Sequence, residues 1–151
     1  MKNLLIILLL AVAQINISAQ TKQQAEKTFV RELNKIIKNS DQHHWGYEGK
    51  ITVEKPFSID DNGILSVTVR YVTDSSNVKV QMEAPIHKAK YVLYDHYLIL
   101  EYAKEDVIVK NSENGNTTSF KNDLFHLGAP RNGYKKQDEL QLMLEKILKF
   151  Y

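Results

Sequence analysis

Five histidines are the side chains of this 151-residue sequence best suited to proton transfer or metal binding near neutral pH. His43 and His44 are adjacent and lie close to Asp41 and Trp45. Adjacent side chains point in different directions on most backbones, so this pair does not read as a two-histidine ligand set, and no HExxH-like spacing occurs anywhere. His87, His96 and His126 stand far apart, after Pro85, in a hairpin turn and in an irregular segment. A hydrolytic site would require folding to bring His43, His44, His87 or His126 against an Asp or Glu within hydrogen-bond reach. The acidic pairs Asp60-Asp61 and Glu105-Asp106 both sit in turn signals, where carboxylates commonly bind their own backbone. There is no GxSxG elbow, no SxxK motif and no glycine-rich phosphate loop, the six glycines being scattered. No catalytic residues, metal ligands or cofactor are assigned on this basis. The sequence leans away from an enzyme, and a small exported hydrolase with a His/carboxylate pair is the alternative.

Two other groups of residues have the chemistry of a contact surface. Tyr91, Tyr94, Tyr97 and Tyr102 fall on one predicted hairpin, and tyrosine presents an apolar ring with a polar tip. Residues 124–134 (LFHLGAPRNGY) read as an irregular connection, and such loops on a rigid scaffold often carry function. Within it Arg131 is a candidate anion contact, and Phe125 and Tyr134 are candidates to line a pocket. The candidate binding residues are therefore Tyr94, Phe125, His126, Arg131 and Tyr134. Their ligand, a protein or a small molecule, is not specified by the residues themselves.

The elements that must position these side chains follow from periodicity. Residues 21–38 read as an amphipathic helix: Thr21 and Gln24 have capping-box spacing, Ala25, Phe29, Leu33, Ile36 and Ile37 form one apolar face, and Asn39 is a candidate left-handed terminator. The period then changes to two. Short strands are predicted over 50–55 (ended by Pro56), 64–73, 78–83, 88–94, 97–102, 107–110 and 117–120. In the second of these Leu65, Val67, Val69 and Tyr71 point one way and Ser66, Thr68 and Arg70 the other. Asn62-Gly63, Asp95-His96 and Asn114-Gly115 are turn signals. Residues 136–150 form a closing helix with Leu140, Met143, Leu144, Ile147 and Leu148 on its apolar face. Connections this short cannot make parallel crossovers. The expected fold class is α+β: N-terminal helix, one antiparallel meander of about seven strands, and a C-terminal helix packed on the sheet. A strongly curved meander closed by that helix, barrel-like, is the second variant.

Composition bounds the rest. Residues 1–19 have a short basic start, an unbroken apolar run over 4–13 and Ala19 at a small-residue cut, the pattern of a cleaved secretory signal peptide. The run is too short to span a bilayer. Residues 20–151 then form one soluble domain, secreted or periplasmic, with no membrane span after cleavage. The Lys-, Asn- and Ile-rich usage resembles that of bacterial exported proteins. There is no cysteine, which removes disulfides, thiol catalysis and thiolate metal sites together. Lys and Arg number 20 against 18 Asp and Glu, interspersed along the chain. That near-balance argues against nucleic acid as a partner. The resulting expectation is a non-catalytic binding or protein-interaction module.

Overall fold

The computed structural model describes residues 22–40 and 50–151. The proposed signal segment, the Thr21 cap and the His43-His44-Trp45 cluster lie outside the described residues.

Helix α1 (22–38) buries the face that its spacing requires: Ala25, Phe29, Leu33, Ile36 and Ile37 all lie in the core. Its C-terminus differs from the expectation. Asn39 does not adopt a left-handed backbone. Side chains cover the last carbonyls instead: Asn39 Nδ2 donates to the Lys35 carbonyl and Ser40 Oγ to that of Ile36, each at 2.9 Å.

Among the described residues eight strands follow: β1 (Lys50–Ile59), β2 (Ile64–Val72), β3 (Asn77–Pro85), β4 (Ala89–Asp95), β5 (Tyr97–Tyr102), β6 (Val107–Glu113), β7 (Asn116–Asn122) and β8 (Leu124–Gly128). All pairings are antiparallel. The α+β class and the flanking helices stand, but the strands form two sheets and not one meander, ordered β1-β2-β3-β6-β7 and β4-β5-β8. The eighth strand, β8, occupies the first half of the segment expected to be irregular. After β3 the chain turns through a short 3-10 segment (Ile86–Lys88), builds the β4-β5 hairpin in the second sheet, and returns to lay β6 beside β3. Asp123 alone then separates β7 in one sheet from β8 in the other, and its carbonyl accepts from the Tyr102 N–H at 2.8 Å.

Alternation in β2 is as expected, with Leu65, Val67, Val69 and Tyr71 all buried. Thr68, on the opposite side, is buried as well. Pro56 does not end β1. The strand continues to Ile59 through two register shifts, between Val53 and Lys55 and between Lys55 and Ser58. Proline is tolerated there because β1 is an edge strand, where a missing N–H breaks no ladder bond. The irregular stretch is held from α1: the Asn34 amide donates to the Phe57 carbonyl (3.0 Å) and accepts from the Phe57 N–H (2.8 Å). Outside, Glu54 bridges Arg70 on β2 and Lys79 on β3. The Arg70 hydrogen bond, joined by both cations, holds the Glu54 carboxyl below its ordinary range.

Helix α2 (Gly133–Leu148) begins three residues before the expected start and packs chiefly against β4. Leu140, Leu144 and Ile147 are buried, with Met143 and Leu148 at the core's margin. Both sheets and both helices feed one hydrophobic cluster, in which Phe57 of β1 and Phe125 of β8 approach to a centroid distance of 6.3 Å. No helix among the described residues is long and apolar enough to cross a membrane.

Candidate functional site

The connection from β8 to α2 is fixed by close approaches that glycine permits. Gly128 has φ 133°, and a Cβ there would stand 2.4 Å from Ser40 Oγ and 3.2 Å from Ile36. Ser40 Oγ in turn accepts from the Ala129 N–H at 2.8 Å, so the end of α1 holds the start of the connection. Gly133 opens α2 although glycine is a poor helix residue. The reason is tertiary: a Cβ at Gly133 would lie 1.8 Å from the Tyr94 ring. Glycine leaves the space in which Tyr94 of β4 rests on the first turn of the helix.

Tyr134, next in sequence, stands edge-on to Tyr94 with ring centroids 4.9 Å apart and planes at 74°. This T-shaped arrangement sets the positive edge of one ring against the negative face of the other. Tyr94 is half-buried, whereas Tyr134 remains 76% exposed. Arg131 is exposed one turn earlier, and lines an open depression of about 400 Å³ with Asn39, Pro130, Asn132 and Lys136. The first turn of α2 carries no acidic residue and the Asn132 side chain makes no cap hydrogen bond. The positive end of the helix dipole and Arg131 therefore act in the same direction, while Lys136 is partly neutralised by Glu139. Chemically, this corner offers an aromatic face beside a positive edge.

The structure divides the five predicted contact residues. Tyr94 and Tyr134 are in ring contact at the N-terminal end of α2, and Arg131 lies in the connection just before it, lining the depression. Phe125 is fully buried in the core and offers no surface. His126 is buried on the other side of β8, with its ring edge-on to Tyr97 at 6.4 Å. Consecutive strand residues point to opposite faces, so once residues 124–128 form a strand, Phe125 and His126 must separate. Gly133 and Ser40, which position the corner, carried no functional signal in the sequence. Gly133 was legible only as a loop glycine.

Among the described residues, His87, Asp60 and Asp106 each make their own contacts, and His96 lies in a turn. His96 forms the β4-β5 turn, with φ 59°, and His87 stacks on Tyr151 at 5.3 Å. Asp60 uses one carboxylate oxygen to accept from the Asn62 and Ile64 N–H groups, shaping the β1-β2 turn as its sequence context suggests. Asp106 accepts from Lys88 at 2.7 Å. Tyr151 donates to Glu26 and lies under Lys22, whose ammonium is 3.9 Å from the ring centre. Burial, then the Glu26 hydrogen bond and charge, push the Tyr151 phenol well above its ordinary value. No group of three His, Asp or Glu side chains able to hold a metal occurs among the described residues. Compared with protein-family models, with curated proteins and with solved structures, the chain shows no significant match to any of them.

Proposed function

We propose that this protein is an exported, non-catalytic binding module whose contact surface is the Tyr94–Tyr134 ring pair together with Arg131 of the connection that precedes α2. The observation that carries this reading is the fixed, exposed Tyr134 ring, held edge-on by Tyr94 at the start of α2. An exposed aromatic already held in one orientation loses little conformational freedom on binding, which is how tyrosine contributes at recognition surfaces. Arg131 and the helix terminus favour a partner that carries a negative group next to an apolar or aromatic one. Support for export comes from residues 1–19 alone, through their basic start, apolar run and small-residue cut.

Phenyl phosphate and benzoate are suitable probes because each combines a ring with an anion. Titration followed by NMR should shift the Tyr94, Arg131 and Tyr134 signals together. Replacing Arg131 and Tyr134 by alanine should remove those shifts while the rest of the spectrum keeps its dispersion. Shifts confined to other parts of the molecule, or unchanged affinity in the double variant, would remove this corner from consideration.

A further inference from the structure

The four edges of the two sheets are treated unequally. The outer edge of β1 is interrupted by two register shifts and Pro56, and the Asn34 amide occupies the Phe57 backbone groups. On the outer side of β4 the Gln141 side chain, from α2, accepts from the Val92 N–H at 2.8 Å. β8 is five residues long, and its last four are buried. Among the described residues β7 has none of these devices. It is seven residues long, pairs with β6 in unbroken register and contains no proline; all of it is exposed except Asn122, which is partly so. An edge of that kind is a template for another strand.

The phase of its free backbone groups is fixed. Asn114 and Gly115 have φ of 50° and 82°, the type I′ hairpin turn, so Glu113 and Asn116 form the hydrogen-bonded pair next to the turn. Alternation then directs the N–H and C=O groups of Thr117, Ser119 and Lys121 away from β6. We propose that β7 pairs antiparallel with β7 of a second copy of this chain, about a two-fold axis at Ser119, joining the two five-stranded sheets into one.

Three features favour a second copy as the occupant. Centring on Ser119 is the self-pairing that uses all three outward residues: Ser119 faces its own equivalent and Thr117 faces the partner's Lys121. In that register the single charge of β7 meets a hydroxyl, and no like charges oppose each other. Phe120 lies on the same side as buried Val109, yet is 46% exposed, and among the described residues no strand flanks it on the outer edge. Self-pairing sets Phe120 opposite the partner's Thr118 and brings the two Phe120 rings into diagonal contact across the new ladder, within aromatic reach. The interface is isologous and closes at two copies, so it does not extend into a fibre.

Sedimentation equilibrium of the purified protein across a wide concentration range tests this. A monomer–dimer equilibrium is expected. Thr117→Lys opposes two lysines at each end of the ladder and should raise the dimer Kd about tenfold. Adding Lys121→Glu to that variant turns both repulsions into attractions and should restore association. Ser119→Pro removes the central N–H and should leave a monomer with the parent circular dichroism. A protein that stays monomeric at every concentration overturns the proposal, as does a dimer whose Kd is unchanged by Thr117→Lys. None of these residues belongs to the Tyr94–Arg131–Tyr134 corner, so the two readings fail separately.

Discussion

Tyr102 shows how a single residue can matter at its own scale. Its side chain is buried, and the hydroxyl has no hydrogen-bond partner among the described residues. A buried hydroxyl that makes no bond retains its desolvation penalty. Replacing Tyr102 by phenylalanine is therefore expected to leave stability unchanged or raise it by about 1 kcal/mol, measured by urea denaturation. Gly133 gives the opposite case. Gly133→Ala would normally favour a helix, but here the added methyl falls inside the Tyr94 ring. The ring must move, and the T-shaped contact with Tyr134 goes with it. The expected outcome is a changed near-ultraviolet tyrosine signal and lost probe binding at the corner, with little change in helix content. Intact tyrosine signals in that variant would show that the contact does not depend on Gly133. Residue types alone suggested the aromatic and cationic members of the corner. They could not reveal that a glycine holds the space between them, because that requires knowing which strand passes over the helix.

At the scale of elements, the clearest dependence is that of β1 on α1. β1 leaves regular pairing around Pro56, and Asn34 supplies the backbone partners that the sheet does not. Asn34→Ala leaves the Phe57 N–H and C=O without that partner in a partly buried position, at an expected cost of about 1–3 kcal/mol. Amide exchange at Phe57 should accelerate more than at the β2-β3 ladder; equal acceleration everywhere would mean that Asn34 acts only on global stability. The helix faces were legible from spacing: the five apolar residues assigned to α1 are all buried, as are Leu140, Leu144 and Ile147 of α2. The β2 alternation and the Asn114-Gly115 turn were legible for the same local reason. Element ends were less so. β1 passes through its proline, Asn39 is not left-handed, and β8 emerges from a segment whose glycines and proline suggested a loop. For β1 and β8 a contact from another element accompanies the outcome, Asn34 on β1 and β5 beside β8, whereas at the end of α1 the local Asn39 and Ser40 side chains cap the last carbonyls.

For the molecule as a whole, stability should be sensitive to alkaline pH. Tyr102 is shifted above the ordinary tyrosine value of 10.0 by burial and by the nearby Asp106 charge. Tyr151 is shifted the same way by burial and Glu26. A raised folded-state value means the native state keeps a proton that the unfolded chain loses. The stabilisation is complete below the unfolded value and declines as pH rises above about 10 towards the folded values. Thermal unfolding between about pH 8 and 11 should show this decline in the parent protein. It should be shallower when Tyr102 and Tyr151 are both replaced by phenylalanine; an equal decline in that variant would place the sensitivity in other groups.

The sequence by itself determined what short-range physics controls: the two amphipathic helices and seven of the eight strands among the described residues, their antiparallel sense, the hairpin turn at Asn114-Gly115, and a fold free of disulfides. These follow from period, turn chemistry and composition, each encoded within a few residues. Only the tertiary structure decided how the strands divide into two sheets, because pairing β3 with β6 and β5 with β8 depends on segments far apart in the chain. Phe125 and His126 share a sheet with Tyr94 but lie buried on β8, across β5 from it, while packing of α2 on β4 joins Tyr94 to Tyr134. Alternation along a strand sends neighbours to opposite faces, and only packing decides which face meets the core and which partner meets a side chain.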